Sequence, residues 1–510
     1  MFVRKYKNQS GTTSIHIVDK SSGAYRIVKS FGSAHTEEEI ERLMRKAQNE
    51  LLPSSKNQER LFPITLPDDR AVENFLESIS NSHIRTVGPE LIFGTLFDRM
   101  GFNIVPSQLF RHITIARLAY PTSKLKTVDY LFRYQGVTIT EDAIYKFLDS
   151  IYKKYKPLVE KVVFEHTKKT LGTITIVFYD MTTLYFEAED EDDLRKIGYS
   201  KDGKRECPQI MLGLLVGANG YPIGYDMFEG NTFEGKTLIP TLEKLQQKYG
   251  FAKPIVVADA GLLSKNNIAE LTKADYTFIL GGRIKNESQP VQEEILVQSK
   301  DIKDQESFEI KKIDGARLIV TYSLKRAGKD AHNREKGLKK LRARVASGKL
   351  TKTQITNRGY NKFLSLAGDI TVTINEEKVA YDRRWDGLKG YATNTKLTHK
   401  EIVEQYGHLW QIEKAFRISK TDLRIRPVFH YKRRRIESHL CIAFVAYAIW
   451  KELERLLQQN GLLMSARRAG ELTHTMYKIR YTMPQSKETK DRILTMDDEQ
   501  QSLYDVIHGK

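Results

Sequence analysis

The sequence predicts an α/β fold: a mixed sheet with helices on both faces, interrupted by a β-rich insertion and preceded by a mostly helical N-terminal region. Three observations carry this reading. The hydrophobic period changes from helical to alternating at about residue 173. From there to residue 282, strand patterns alternate with helical ones, as β-α-β units require. Residues 283–395 then break the alternation with short strand-like pieces around a long basic helical run.

At 510 residues the chain exceeds what one core organises, so several domains are expected. Apolar residues at 40% and charged residues at 29% describe a folded chain rather than a disordered one. Lys and Arg number 82 against 64 Asp and Glu, a net charge of +18, which favours a polyanionic partner and nucleic acid above others. The two cysteines, Cys207 and Cys441, have no CxxC spacing, so neither a disulfide framework nor a cysteine zinc site is expected. The N-terminal Met-Phe-Val-Arg-Lys-Tyr-Lys lacks the apolar core of a signal peptide. The longest apolar run, Cys441 to Trp450, is about half of the ~20 residues that span a bilayer. These features predict a cytoplasmic protein with no membrane partner.

Residues 1–85 read as an N-terminal hairpin and helix. Ser14–Val18 and Ala24–Val28 flank the turn-rich Asp19–Gly23, and Thr36 with Glu39 has the spacing of a capping box opening a helix to about Leu52. Residues 53–85, with three prolines and little periodicity, read as a linker. Residues 86–170 are helical in pattern. Ser123–Tyr134 and Glu141–Tyr155, joined by Gln135–Thr140, permit a DNA-reading helix-turn-helix and an ordinary helical hairpin alike.

The strand Thr173–Asp180 places Ile174, Ile176, Phe178 and Asp180 on one face. A carboxylate closing an apolar face is costly unless it is paired or holds a metal. Ile210–Val216 and Tyr221–Phe228 are strands across Asn219-Gly220, a strong hairpin signal. A helix with Leu238, Leu242, Leu245 and Tyr249 in register ends at Gly250. The strand Pro254–Asp259 repeats the first one's pattern, with Ile255, Val257 and Asp259 on one face. A helix from Ser264 and a strand at Tyr276–Leu280 follow. Were the first and fourth strands adjacent and parallel, Asp180 and Asp259 would meet at their carboxyl ends, where open α/β sheets bind ligands.

In the interruption, Ser307–Ile313, Ala316–Tyr322 and Gly368–Ile374 read as strands. Lys325 to Arg344 is a basic helix that suits a solvated surface and phosphate contact equally. Beyond it, Tyr406 to Lys420 reads as one amphipathic helix with Leu409, Ile412, Phe416 and Leu423 as its apolar stripe. Tyr406, Glu413 and Lys420 recur at intervals of seven, so they project in one direction beside that stripe. After Lys432–Arg435, the apolar helix His439–Leu457 is expected to pack on the sheet. Residues 461–510 form a polar tail with no chemistry assigned to it. Two strand-end aspartates and a helix-borne glutamate are what two-metal phosphoryl transfer requires, since Mg²⁺ prefers carboxylate oxygens. The acids in Glu187–Asp193, with Asp226 and Glu229, read as surface groups, and Asp382 and Asp386 as turn caps.

These residues resemble the DDE transposases of bacterial and archaeal insertion sequences, in the group with a β-rich insertion and a Y-R-E-K signature. That signature is Tyr, two residues, Arg, three residues, Glu, six residues, Lys. Tyr406, Glu413 and Lys420 fit it, with Leu409 in the place of the Arg. The resemblance covers roughly residues 171–460. It implies an RNase H-like core at 171–282 and 396–460, with the insertion at 283–395, a DNA-end-binding domain at 86–170 and a tail at 461–510. It implies Asp180, Asp259 and Glu413 as catalytic metal ligands for Mg²⁺, with Mn²⁺ as substitute. Tyr406 and Lys420 become contacts to DNA phosphates, and Arg417 a substitute for the missing Arg. Trp385 reads equally as a core residue and as a stack for a flipped base on a hairpin route, which Leu409 puts in question. The expected partners are double-stranded transposon ends, target DNA and a second copy in a homodimer. A catalytically silent DNA-binding regulator, and a nuclease without strand transfer, are the alternative functions.

Overall fold

The computed structural model describes residues 1–510 apart from 22, 52–66, 263, 313–315, 349, 357, 368–370, 484–485 and 510. The chain divides into two units, Met1–Ile79 and Ser80–Lys510. In the first, β1 (Phe2–Lys7), β2 (Thr13–Asp19) and β3 (Arg26–Ala34) form a three-stranded antiparallel sheet where a hairpin was expected. β1 is almost wholly Arg, Lys and exposed aromatics, so it carries no alternation to read. Helix Glu37–Leu51 covers the sheet, burying Ala47 with Ile15 and Ile17, and Thr36 accepts the Glu39 N–H as a cap. Of the expected linker, residues 53–66 lie outside the described residues and Pro67–Glu77 is helical.

The second unit begins near β4 (Ile84–Thr86) and is organised by one eight-stranded mixed sheet. β5 (Ile176–Tyr185), β6 (Gln209–Val216), β7 (Pro222–Glu229), β8 (Ile255–Ala258) and β9 (Thr277–Gly282) come from the alternating region. β5, β6 and β7 are antiparallel neighbours, whereas β8 and β9 run parallel to β5. The antiparallel trio and the parallel pair make one mixed sheet, as the alternating pattern predicts. Asn219 and Gly220, with φ of 56° and 75°, make the tight β6–β7 turn that the Asn-Gly pair favours. β6 is buried along its whole length, and at Gly213 a Cβ would lie 2.4 Å from the Tyr179 hydroxyl, so only glycine fits.

The sheet does not stop at β9. β10 (Ser307–Lys311), β11 (Arg317–Tyr322) and, after the separate pair β12 (Leu364–Ala367) and β13 (Thr371–Ile374), β14 (Leu388–Thr393) belong to the interruption. β14 pairs with the open edge of β9, then β11 and β10 follow, all antiparallel. Most of the insertion's strands therefore extend the central sheet and satisfy an edge that would otherwise be exposed. The helix Leu324–Ala346 packs Leu338 and Leu341 with Phe363 of the interruption, and residues 368–370 of the expected strand lie outside the described residues.

The helix Arg433–Gln459 is buried over most of its length and serves both sides of the unit. Toward the sheet, Phe444 meets Tyr225 at 4.9 Å and the Tyr447 hydroxyl donates to Gly220 O. Toward the helical region, Ser438 donates to Leu148 O, while Arg434 and Arg435 both grip Asp149. The last fifty residues are structural. Helices Ala466–Thr473 and Asp498–His508 bury Leu472, Leu503 and Ile507 in the main core, and β15 (Tyr477–Thr482) joins β16 (Thr489–Ile493) to β4. Among the described residues no helix is long and apolar enough to cross a membrane.

Candidate active site

The β5–β8 pairing sets Tyr179 opposite Ala258, so Asp180 and Asp259 are the next residues along two neighbouring parallel strands. Such strands lie ~4.8 Å apart. Asp259 follows the last residue of β8, as expected. Asp180 does not end β5, which runs on to Tyr185 because β6 keeps pairing with it as far as Gln209. The two acids are neighbours because the parallel register sets the residue after Tyr179 beside the residue after Ala258.

Backbone groups hold both carboxylates. Asp180 Oδ1 accepts the Met181 N–H at 2.7 Å, and Asp259 Oδ1 accepts the Gly261 N–H at 2.8 Å. Gly261 also marks a third acid. A Cβ there would lie 2.9 Å from Asp259 Oδ1 and 3.4 Å from Glu234 Oε2, so both carboxylates converge on that glycine. Lys201 sits among the three. Its ammonium lies 2.7 Å from Glu234 and 3.7 Å from Asp180, and it donates to Met181 O at 2.6 Å. Burial, reinforced by Asp259 and Glu234 and opposed by Lys201, pushes the Asp180 carboxyl up to about 6. Sequence reasoning missed Glu234 and Lys201. Glu234 opens the short turn Glu234–Lys236, and Lys201 lies in the loop between β5 and β6, so neither has a periodicity to announce it.

Tyr406, Glu413 and Lys420 do not lie on one uninterrupted helix. His399–Gly407 ends, and Trp410–Arg417 begins anew and widens through Ile418–Asp422. Across the junction the N–H groups of His408, Leu409, Gln411 and Ile412 bond to the carbonyls three residues back, a tightening that shifts the heptad phase. The apolar stripe nevertheless forms: Leu409, Ile412, Phe416 and Leu423 are all buried.

Tyr406 is half-buried, its ring under the Lys389 ammonium and its hydroxyl beside Gly281, where a Cβ would come within 2.5 Å. Burial first, then the fields of Asp259 and Glu413, raise that hydroxyl well above its usual range. Glu413 and Arg417 are exposed. Lys420 lies 3.2 Å from both Asp202 oxygens, and Arg426 grips the same carboxylate. Burial lowers the Lys420 ammonium despite that partner. Leu409, in the signature's Arg position, is 8% exposed and belongs to the core.

Trp385 is 2% exposed, packed with Ile284, Ile295 and Leu388, so no base has access to its ring as placed. Its neighbours Asp382 and Asp386 are not turn caps. Asp386 takes both arms of the buried Arg334, and Asp382 pairs with Lys285 and Lys362, which anchors the basic helix. The other eight cations between Lys325 and Arg344 are exposed. Asp226 pairs with Lys244, and Asp192 caps its own loop through the Leu194 and Arg195 N–H groups.

Among the described residues, no three His, Cys, Asp or Glu side chains stand close enough together to form a metal cage. Asp180, Asp259 and Glu234 are drawn together, whereas Glu413 is an exposed residue of Trp410–Arg417 whose charge, with that of Asp259, is felt at the Tyr406 hydroxyl. The donor set is nonetheless that of a hard divalent cation, and the Lys201 ammonium supplies positive charge in its place.

Residues 171–449 match the family model described as the transposase DDE domain, more than half of the chain. Two solved structures are similar over long stretches. The piggyBac transposase synaptic complex with hairpin DNA is 10% identical, with 76% of this chain and 78% of that chain covered and a TM-score of 0.38. The Mos1 transposase paired-end complex with left transposon end is 11% identical, with 48% and 67% covered and a TM-score of 0.16. No curated protein sequence matches the chain. The matched segment holds Asp180, Asp259 and Glu413, and the chain belongs to the transposase DDE family.

Proposed function

We propose that this protein is an insertion-sequence transposase that cuts the ends of its element and joins the freed 3′-hydroxyl to target DNA. The observation that carries the reading is the β5–β8 register, which sets Asp180 beside Asp259 inside the matched domain. Asp180, Asp259 and Glu413 hold Mg²⁺, or Mn²⁺ in its stead. Bound there, such a cation would supply Lewis-acid activation of the attacking oxygen and charge stabilisation of the leaving one. Lys201 offsets the charges of Asp180 and Glu234 beforehand, which keeps like charges close at a tolerable cost. Tyr406, Lys420 and the exposed Arg417 orient the DNA strand by its phosphates, with the buried Leu409 contributing packing alone. Residues 86–170 recognise the element's ends, and the exposed cations of Leu324–Ala346 add phosphate contacts. Two copies pair two ends, and the protein works in the cytoplasm on nucleoid DNA.

The test uses a duplex carrying the inverted repeat that flanks the gene. Wild type nicks it in Mg²⁺ and joins a pre-cut end to target DNA, whereas Asp259→Ala does neither. Equal cleavage by the two proteins overturns the proposal. Binding without cleavage points to a silent regulator, and cleavage without joining to a simple nuclease.

A further inference from the structure

Outside the carboxylate cluster lies a second concentration of charge, of opposite sign. A cavity of about 520 Å³ separates helices Gln108–Ala119 and Lys124–Tyr130 from the stretch that follows Leu423. Arg117, Lys124, Arg424, Arg426, His430 and His439 line it. Arg117 and Lys124 are 5% and 6% exposed, yet neither has a carboxylate partner among the described residues. Among the described residues the Arg117 guanidinium reaches only the carbonyls of Leu423 and Arg424, each at 3.4 Å, and the Lys124 ammonium makes no hydrogen bond or ion pair. His439 Nε2 donates to Ile425 O, which leaves its buried Nδ1 without a partner. Glu141 at the rim accepts the Tyr145 hydroxyl and bridges to none of these cations, and Arg426 is turned to Asp202.

Cations buried without counterions are strongly disfavoured and are not retained for stability. The groups here also oppose one another. Burial pushes the Lys124 ammonium far down and Arg117 adds to the effect. Burial and the charges of Lys124 and Arg117 hold the His430 imidazole down to about 3. A multivalent anion seated between them would relieve every one of these penalties. A guanidinium fork beside an ammonium is the donor set that matches tetrahedral oxyanions.

We infer that this cavity is a phosphate-binding site, distinct from the carboxylate cluster, with Lys124 and Arg117 as its buried cations. The phosphate is a backbone phosphodiester of bound DNA or a free phosphate ion. The first source rests on the DNA-cutting function proposed above, and the second does not.

Thermal unfolding of the full-length chain provides the first arm, in chloride and in inorganic phosphate at equal ionic strength. Wild type is expected to gain several degrees in phosphate. Lys124→Met is expected to melt higher than wild type in chloride and to lose the phosphate gain, and Lys124→Arg to keep it. A Lys that merely packs would give a Lys124→Met protein of lower Tm. No phosphate gain in wild type, or an undiminished gain in Lys124→Met, overturns the inference. If Lys124→Met does not fold, Arg424→Gln at the same cavity carries the comparison. The second arm measures duplex DNA affinity against salt concentration. A salt slope lower by about one in Lys124→Met assigns the site to a DNA phosphodiester. An unchanged slope with a lost phosphate gain assigns it to free phosphate. This arm needs no cleavage, so a transposase reading that fails the nicking test leaves the phosphate result standing.

Discussion

The acidic cluster where β5 passes the end of β8 carries its own counterion, whereas the buried Arg117 and Lys124 have none among the described residues. Lys201 lies within ion-pair distance of Asp180 and Glu234. Among the described residues no carboxylate stands within ion-pair distance of Lys124, although Glu141 lines the same cavity. The difference shows how each site waits. Carboxylates with an internal ammonium are already partly neutralised, and a metal of the kind proposed above would exchange one cation for another. Buried cations without a partner hold a cost that an incoming anion relieves while keeping the charge in place.

That contrast breaks most visibly at the acids. Asp259→Ala should lower single-turnover nicking by at least ~10³-fold, equivalent to ~4 kcal/mol of transition-state stabilisation. Asp226→Ala, whose carboxylate is occupied by Lys244, should cleave like wild type. Equal losses in both would mean that any acid near the sheet matters and that the strand-end pair is not special.

The counterion comes next. Lys201→Met leaves Asp180 and Glu234 facing each other and should cost about 2 kcal/mol in urea unfolding with EDTA, since a partly buried pair loses one member. Mg²⁺ should restore most of that loss. The sign is opposite to the stabilisation expected of Lys124→Met, and two losses of the same sign would erase the distinction between the clusters.

The smallest effect concerns cations that do have a partner. Burial raises the Asp149 carboxyl, but hydrogen bonds from Arg434 and Arg435 outweigh it and hold the group at about 2. That lies below the ordinary Asp value of ~3.9. The stabilisation is therefore complete above pH ~4 and disappears as pH falls through 2. After allowance for solvent screening it amounts to about 1 kcal/mol. Asp149→Asn should remove this part of the stability loss between pH 4 and pH 2 in denaturant titrations, and an unchanged pH slope would show the pair to be idle.

The sequence revealed the site unevenly, for physical reasons. Alternating apolar runs ending in Asp180 and Asp259 announced both strands, because a strand's period is written in its own residues. The buried stripe from Leu409 to Leu423 was legible for the same reason. The break after Gly407 was not, since tightening by one hydrogen-bond step leaves the heptad spelling intact. Glu234 and Lys201 come from segments without a period and reach the acids only through the tertiary fold. Arg117 and Lys124 look like surface charges until packing buries them. Trp385 and the helices Ala466–Thr473 and Asp498–His508 illustrate the reverse case, polar or functional-looking stretches that pack into cores.

On the function proposed above, Glu413 joins Asp180 and Asp259 as a ligand when metal and DNA are present. The direct measurement is Mn²⁺ binding by electron paramagnetic resonance, with the full chain bound to end DNA and Glu413→Gln alongside. The account predicts two tightly bound ions in wild type and the loss of at least one in the variant. Identical Mn²⁺ binding by both proteins would contradict it.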